Sequence, residues 1–206
     1  MYDTTGAQCV WLKSDLAANN KKFTVVYFHH PPYTKTSHNS DTEGDLVAVR
    51  ERFIRILERF GVDIILNGHA HGYERSYLLK GFYKSTPAGA NLSEGDFNPA
   101  IHTATGNTQN GKYDFTANSC AYTYNSGKQN HGSVYVVAGS AGQVGGSASG
   151  YPHNAMYYSN NTNGGSFYFE VDSNRLDAKF ISYTGSGGSV VPEIRDQFTI
   201  FKDVNK

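Results

Sequence analysis

The chain has 206 residues, enough for one domain with its own core. Eighteen Lys and Arg balance 18 Asp and Glu, and the zero formal net charge speaks against general nucleic-acid binding, which needs a basic face to neutralise phosphates. It speaks equally against a polybasic membrane-surface role. Hydrophobic residues make up 38% and charged residues 17%, while Gly reaches 22 and Tyr 15. That mix, with plentiful Asn and Ser, suits a loop-rich β protein in an environment outside the cytoplasm. No apolar run reaches the roughly 18 residues that span a bilayer. Met1 to Val10 lacks the basic patch and apolar stretch of a signal peptide. Cys9 and Cys120 leave open either one long-range disulfide or two ordinary thiols.

Residues 7–19 read as a short amphipathic helix built on Val10, Trp11, Leu12 and Leu16 and ended by Asn19-Asn20. Residues 23–28 (FTVVYF) are β-branched and aromatic, which predicts a strand buried on both faces. Pro31-Pro32 forbids its continuation. Residues 43–60 predict one helix. Leu46, Val49, Phe53, Ile56, Leu57 and Phe60 form its apolar stripe, and Arg50, Glu51, Arg55, Glu58 and Arg59 its polar face. Gly61 stands where a left-handed C-cap is expected. Residues 62–66 follow as a second buried strand, broken by Asn67-Gly68. Strand, loop, helix and strand in this order predict a right-handed crossover between parallel strands. Their C-terminal ends then share one sheet edge, where open α/β sheets place ligand sites.

After residue 80 the composition shifts to Gly, Ser, Asn and Thr. Residues 84–165 read as irregular loops around one strand at 133–139. Residues 166–171, 175–183 and 197–203 read as a closing antiparallel set, with Asp172-Ser173-Asn174 as a hairpin turn. There is neither an internal repeat nor a sustained heptad.

The chemistry gathers at the ends of the two parallel strands. His29 and His30 end the first, and His69 and His71 follow the second in Gly68-His69-Ala70-His71. Neutral imidazole is the commonest protein ligand of Zn²⁺ and also suits Fe, Ni and Cu. A His-x-His pair alone is more often a surface feature than a metal site. Two histidine pairs at two C-terminal strand ends, joined by one crossover, favour metal binding.

Phe28-His29-His30-Pro31-Pro32-Tyr33 resembles the His-x-Pro-x-Tyr segment of the calcineurin-like metallophosphoesterase superfamily. Gly68-His69-Ala70-His71-Gly72-Tyr73-Glu74-Arg75-Ser76 resembles the Gly-His-x-His-x-Tyr-Glu-Arg signature of its purple acid phosphatase branch. Val134 through Gly146 resembles the strand and Gly-rich loop that follow there. The resemblance implies an α/β fold: the C-terminal half of a metallophosphoesterase β-sandwich flanked by helices. A βαβ unit is followed by loop-rich, mostly antiparallel strands. It implies that residues 1–206 are the C-terminal part of one such domain. His29 and His69 match ligands of the second metal, and His71 matches a ligand of the first. The two ions would be divalent or trivalent Fe, Zn or Mn. His30 falls where the family varies and is read as supporting the ligands or facing substrate. His38 matches a histidine that contacts the phosphate or protonates the leaving oxygen; the bland reading is an exposed loop histidine. Glu74 and Arg75 are read as a pair bracing the ligand loop. His102, His131 and His153 match no motif and are assigned to loops.

The chain departs from the family in one respect. The Asp-x-His, Gly-Asp and Gly-Asn-His-Asp/Glu motifs of the family's N-terminal half are absent, and Asp3 lacks their context. Three histidines cannot saturate two metals, each of which needs about four ligands. The expectation is therefore a chain that lacks the carboxylate-bearing N-terminal half, with its activity alone left open. The implied function is metal-dependent hydrolysis of phosphate esters, secreted or periplasmic, with that missing half and a phosphate ester as partners, and neither nucleic acid nor membrane. Two other readings stay in play. One is a mononuclear zinc site of His29, His69 and His71. The other is a carbohydrate-binding or adhesive surface that uses Tyr151, Tyr157 or Tyr158.

Overall fold

The computed structural model describes residues 3–83, 92–104, 109–127, 130–184 and 191–204. Helix α1 (Ala7–Ala18) buries Cys9, Leu12 and Leu16. It leads to β1 (Val25–Tyr27), helices α2 (Gly44–Arg52) and α3 (Ile54–Arg59), β2 (Ile64–Asn67) and β3 (Tyr73–Leu79). The short helix α4 (Pro99–His102), β4 (Tyr122–Tyr124), β5 (Ser133–Ala138) and β6 (Met156–Asn160) follow. β7 (Gly165–Asp172), β8 (Arg175–Thr184) and β9 (Val191–Lys202) close the chain.

Two sheets result, ordered β1-β2-β5-β3-β6 and β4-β9-β8-β7. β1 pairs parallel with β2, and β2 with β5, so the predicted crossover is present. Alternating side chains send Val26, Ile65 and Tyr135 to a core shared with Leu12, Leu16, Val49 and Leu57 of the helices. Ile64, Val134 and Val136 face the second sheet, where Leu176, Phe180, Phe198 and Ile200 meet them. The layers are thus helices, sheet and sheet. The closing strands are antiparallel as expected, and Asp172 pairs with Arg175 across a tight turn with Ser173 at φ 54°.

Four expectations need correction. β1 is an edge strand, and Tyr27 is 83% exposed, so it is not buried on both faces. The single helix at 43–60 is two helices that meet at Phe53, whose ring packs edge-on against Phe28 at 5.7 Å. Arg50 and Glu58, assigned to the polar face, are buried. Arg50 reaches Asp41 at 2.9 Å and the Pro32 carbonyl at 3.3 Å, while Glu58 accepts from Tyr135 and from the Gly81 N–H, each at 2.8 Å. Buried charge was retained because each group finds partners that sequence periodicity does not reveal. Within the loop-rich stretch, β4 and β6 are additional strands, and His153 is fully buried. Gly61 sits at φ 68°, as its predicted cap role requires. Both cysteines are free thiols. No helix among the described residues is long and apolar enough to cross a membrane.

Candidate metal centre

The crossover brings the ends of β1 and β2 together, and backbone bonds lock them. The Asn67 side-chain amide donates to the Phe28 carbonyl at 2.9 Å and the His30 carbonyl at 3.4 Å. The Gly68 N–H donates to the His29 carbonyl at 3.1 Å. His69 then takes a left-handed conformation, φ 63°, which histidine tolerates better than branched residues do. The turn aims His69 Nδ1 at His29 Nε2, 3.1 Å away. His30 completes a group of three that offers one ring nitrogen from each residue, these atoms lying within 4.8 Å of one another.

The other side of the His69 ring faces His38 and Glu43. The His38 and His69 ring centroids are 3.9 Å apart, and Glu43 Oε2 lies 2.8 Å from His38 Nδ1 and 3.9 Å from His69 Nε2. The Asn39 N–H holds the other oxygen of Glu43 at 2.6 Å. Burial alone would raise the Glu43 pKa, but the Asn39 and His38 hydrogen bonds outweigh it and keep the carboxylate below its ordinary value. His69 is pushed down, first by burial and then by the neighbouring histidines His38, His30 and His29, so its neutral, metal-ready form is favoured. Of the residues singled out in the sequence, His29, His69 and His38 thus meet. The His71 ring joins neither group, although its backbone is pinned by Ser37 Oγ at 2.8 Å and by the Gly145 N–H at 2.7 Å. Glu43 was missed: its sequence signal is a carboxylate five residues after His38, at the start of a predicted helix.

The supporting residues are Glu74 and Arg75, but they do not pair. Neighbours on β3 point to opposite faces. Glu74 accepts from the Thr34 hydroxyl, from Thr36 Oγ1 at 3.4 Å and from the Lys35 N–H at 3.3 Å, which clamps the loop that carries His38. Burial raises its pKa to about 7. Arg75 crosses to the second sheet, where its Nε and Nη2 meet the two oxygens of Asp196 at 2.6 and 2.8 Å. Tyr157 covers the Arg75 guanidinium at 4.5 Å and Tyr158 packs near Tyr73, so both rings serve internal packing. On the same loop as His38, Asp41 binds Lys35 at 3.0 Å and Arg50 at 2.9 Å. Burial would raise the Asp41 pKa, yet its bonds to His153, the Glu94 N–H and Lys35 hold it far below the usual range. Gly72 and Gly139 leave no space for a Cβ: one abuts Thr36, the other the Ala70 carbonyl.

This donor set fits a transition metal. Imidazoles converge, and His30 Nδ1 is buried without a hydrogen-bond partner.

Residues 3–73 match the family model described as calcineurin-like phosphoesterase. The chain is 36% identical over 92 residues to purple acid phosphatase 15 of Arabidopsis thaliana, covering 43% of this chain and 16% of the relative. It is 36% identical over 78 residues to purple acid phosphatase 23 of the same plant, covering 36% of this chain and 16% of the relative. The chain thus spans about a sixth of the length of these relatives. The fold matches that of purple acid phosphatase PPD1 from yellow lupin seeds, with TM-score 0.59 and 16% identity over 99% of this chain and 30% of that one. Fold and motifs thus resemble those of the calcineurin-like phosphoesterases, and the matched relatives are purple acid phosphatases.

Proposed function

We propose that this chain supplies the histidine half of a binuclear site that hydrolyses phosphate esters outside the cytoplasm. The observation that carries the reading is the approach of His29 Nε2 and His69 Nδ1 to 3.1 Å at the C-terminal edge of a parallel strand pair. In this reading His29 and His69 hold one metal and His71 binds the other. The anionic ligands come from a carboxylate-bearing half outside this chain. When bound, the ions would supply Lewis acidity toward the phosphoryl oxygens and activate water.

His38 acts on the leaving group. Its Nδ1 is held by Glu43 at 2.8 Å, which leaves Nε2 as the nitrogen that can donate a proton to the departing oxygen. Glu43 orients that ring.

The test is hydrolysis of p-nitrophenyl phosphate with added Zn²⁺, Mn²⁺ or Fe, by this chain and by the longer protein that contains it. Substitution His69→Ala should remove turnover without changing the melting temperature, and retained turnover at full metal content would refute the assignment. His38→Ala should slow alkyl phosphates more than p-nitrophenyl phosphate, because only the poor leaving group needs the proton. An equal loss for both would remove its donor role.

A further inference from the structure

We propose that His30 is a third protein ligand to the metal of His29 and His69, so that this chain binds one transition-metal ion in an all-imidazole site. The inference rests on the metal-binding part of the preceding reading, and on neither the second metal nor the hydrolysis.

The geometry begins with His29 Nε2 and His69 Nδ1, 3.1 Å apart. Two nitrogens that share a tetrahedral Zn²⁺ at ~2.05 Å sit roughly 3.3 Å apart, so this pair is already spaced for one ion. The His30 ring stands 5.1 Å from His29 and 4.8 Å from His69, centroid to centroid, edge-on at 73° and 68°. Edge-on rings around a common point are what convergent ligands present, whereas flat stacking would turn the nitrogens away.

Three further observations single out His30. Its Nδ1 is buried and has no hydrogen-bond partner, a condition that costs about 1–3 kcal/mol. Its carbonyl is held by Asn67, and Pro31-Pro32 follow it, so its backbone is tightly positioned. The His71 ring, by contrast, joins no such group. His69 Nε2 faces Glu43 at 3.9 Å, which favours a proton there and leaves Nδ1 free to ligate.

The three ligands are neutral, and Glu43 lies on the far side of His69. Such a set selects Zn²⁺, Co²⁺, Ni²⁺ or Cu²⁺ over Mg²⁺ or Ca²⁺, which require oxygen.

The experiment titrates this chain with Co²⁺ and follows its visible d–d absorption, beside His30→Phe, with circular dichroism melts to confirm folding. Phenylalanine keeps the ring volume and removes the donor. The expected result is one equivalent bound, weakened at least about tenfold and with a diminished band in His30→Phe. Wild-type affinity in His30→Phe would overturn the proposal, as would absence of Co²⁺ binding by the wild-type chain. Histidine ¹⁵N spectra of the unmutated chain give an answer that does not depend on a variant's folding. Zn²⁺ should shift a ring nitrogen of His30 together with those of His29 and His69, and an unshifted His30 would overturn the inference. Binding through His30 without phosphate-ester turnover would uphold the proposal while removing the hydrolase reading.

Discussion

Glu74 should make this protein less stable as pH rises. Its carboxyl is buried on β3 and receives the Thr34 hydroxyl, Thr36 Oγ1 and the Lys35 N–H, yet burial outweighs these bonds and raises its pKa from 4.5 to about 7. The folded protein therefore keeps this proton up to about pH 7, whereas the unfolded chain releases it near 4.5. Between those values the folded state binds more protons, so stability is full below the unfolded pKa and falls as pH rises through the folded one. A rise of that size corresponds to about 3 kcal/mol, a large fraction of the roughly 5–15 kcal/mol that holds a domain together. Glu74→Gln removes the titration at nearly constant shape. The amide oxygen can accept the Lys35 N–H, and the amide nitrogen can face a threonine hydroxyl turned to accept. Urea unfolding of both proteins at several pH values from 4 to 8 isolates the effect, because other titrating groups cancel in the difference. The variant should gain about 3 kcal/mol over the wild type between the acid and alkaline ends. Parallel stability curves would refute the reasoning.

Two further outcomes follow from the clamps around the site. Asp196→Ala should cost about 3–5 kcal/mol, because it strands the fully buried Arg75 guanidinium between the sheets. In a double-mutant cycle, adding Arg75→Met to Asp196→Ala should recover part of that loss, and a simple sum of the two single effects would contradict the pairing. Gly139→Ala should lower the urea midpoint by the equivalent of about 1–3 kcal/mol, because its Cβ would strike the Ala70 carbonyl in the loop between His69 and His71. An unchanged midpoint would mean that the loop yields freely.

The legible parts of the sequence were those governed by local rules. The apolar period of residues 7–19, the β-branched run before Pro31, the Gly61 cap and the Asp172 turn each act within a few residues, and each element formed. The histidine pairs were legible for a related reason: they stand directly at strand ends, so finding the strands finds the residues. Reading failed where a side chain's fate depends on distant partners. Arg50 carries the same charge as its exposed helical neighbours and is buried only because Asp41 and the Leu92 and Pro32 carbonyls await it. Tyr27 belongs to an apolar run, yet it is exposed because β1 lies at a sheet edge. His153 lies in a loop and is buried against Asp41.

By itself the sequence determined the strand–helix–strand crossover and the histidines at its end, because backbone propensity and side-chain period are properties of neighbouring residues. Only the tertiary structure decided that Glu43 and His38 share one side of His69 while His29 and His30 share the other. It alone decided that Glu74 and Arg75 brace different neighbours. Those contacts join segments about 30 to 120 residues apart, and packing rather than spacing selects which side chains meet.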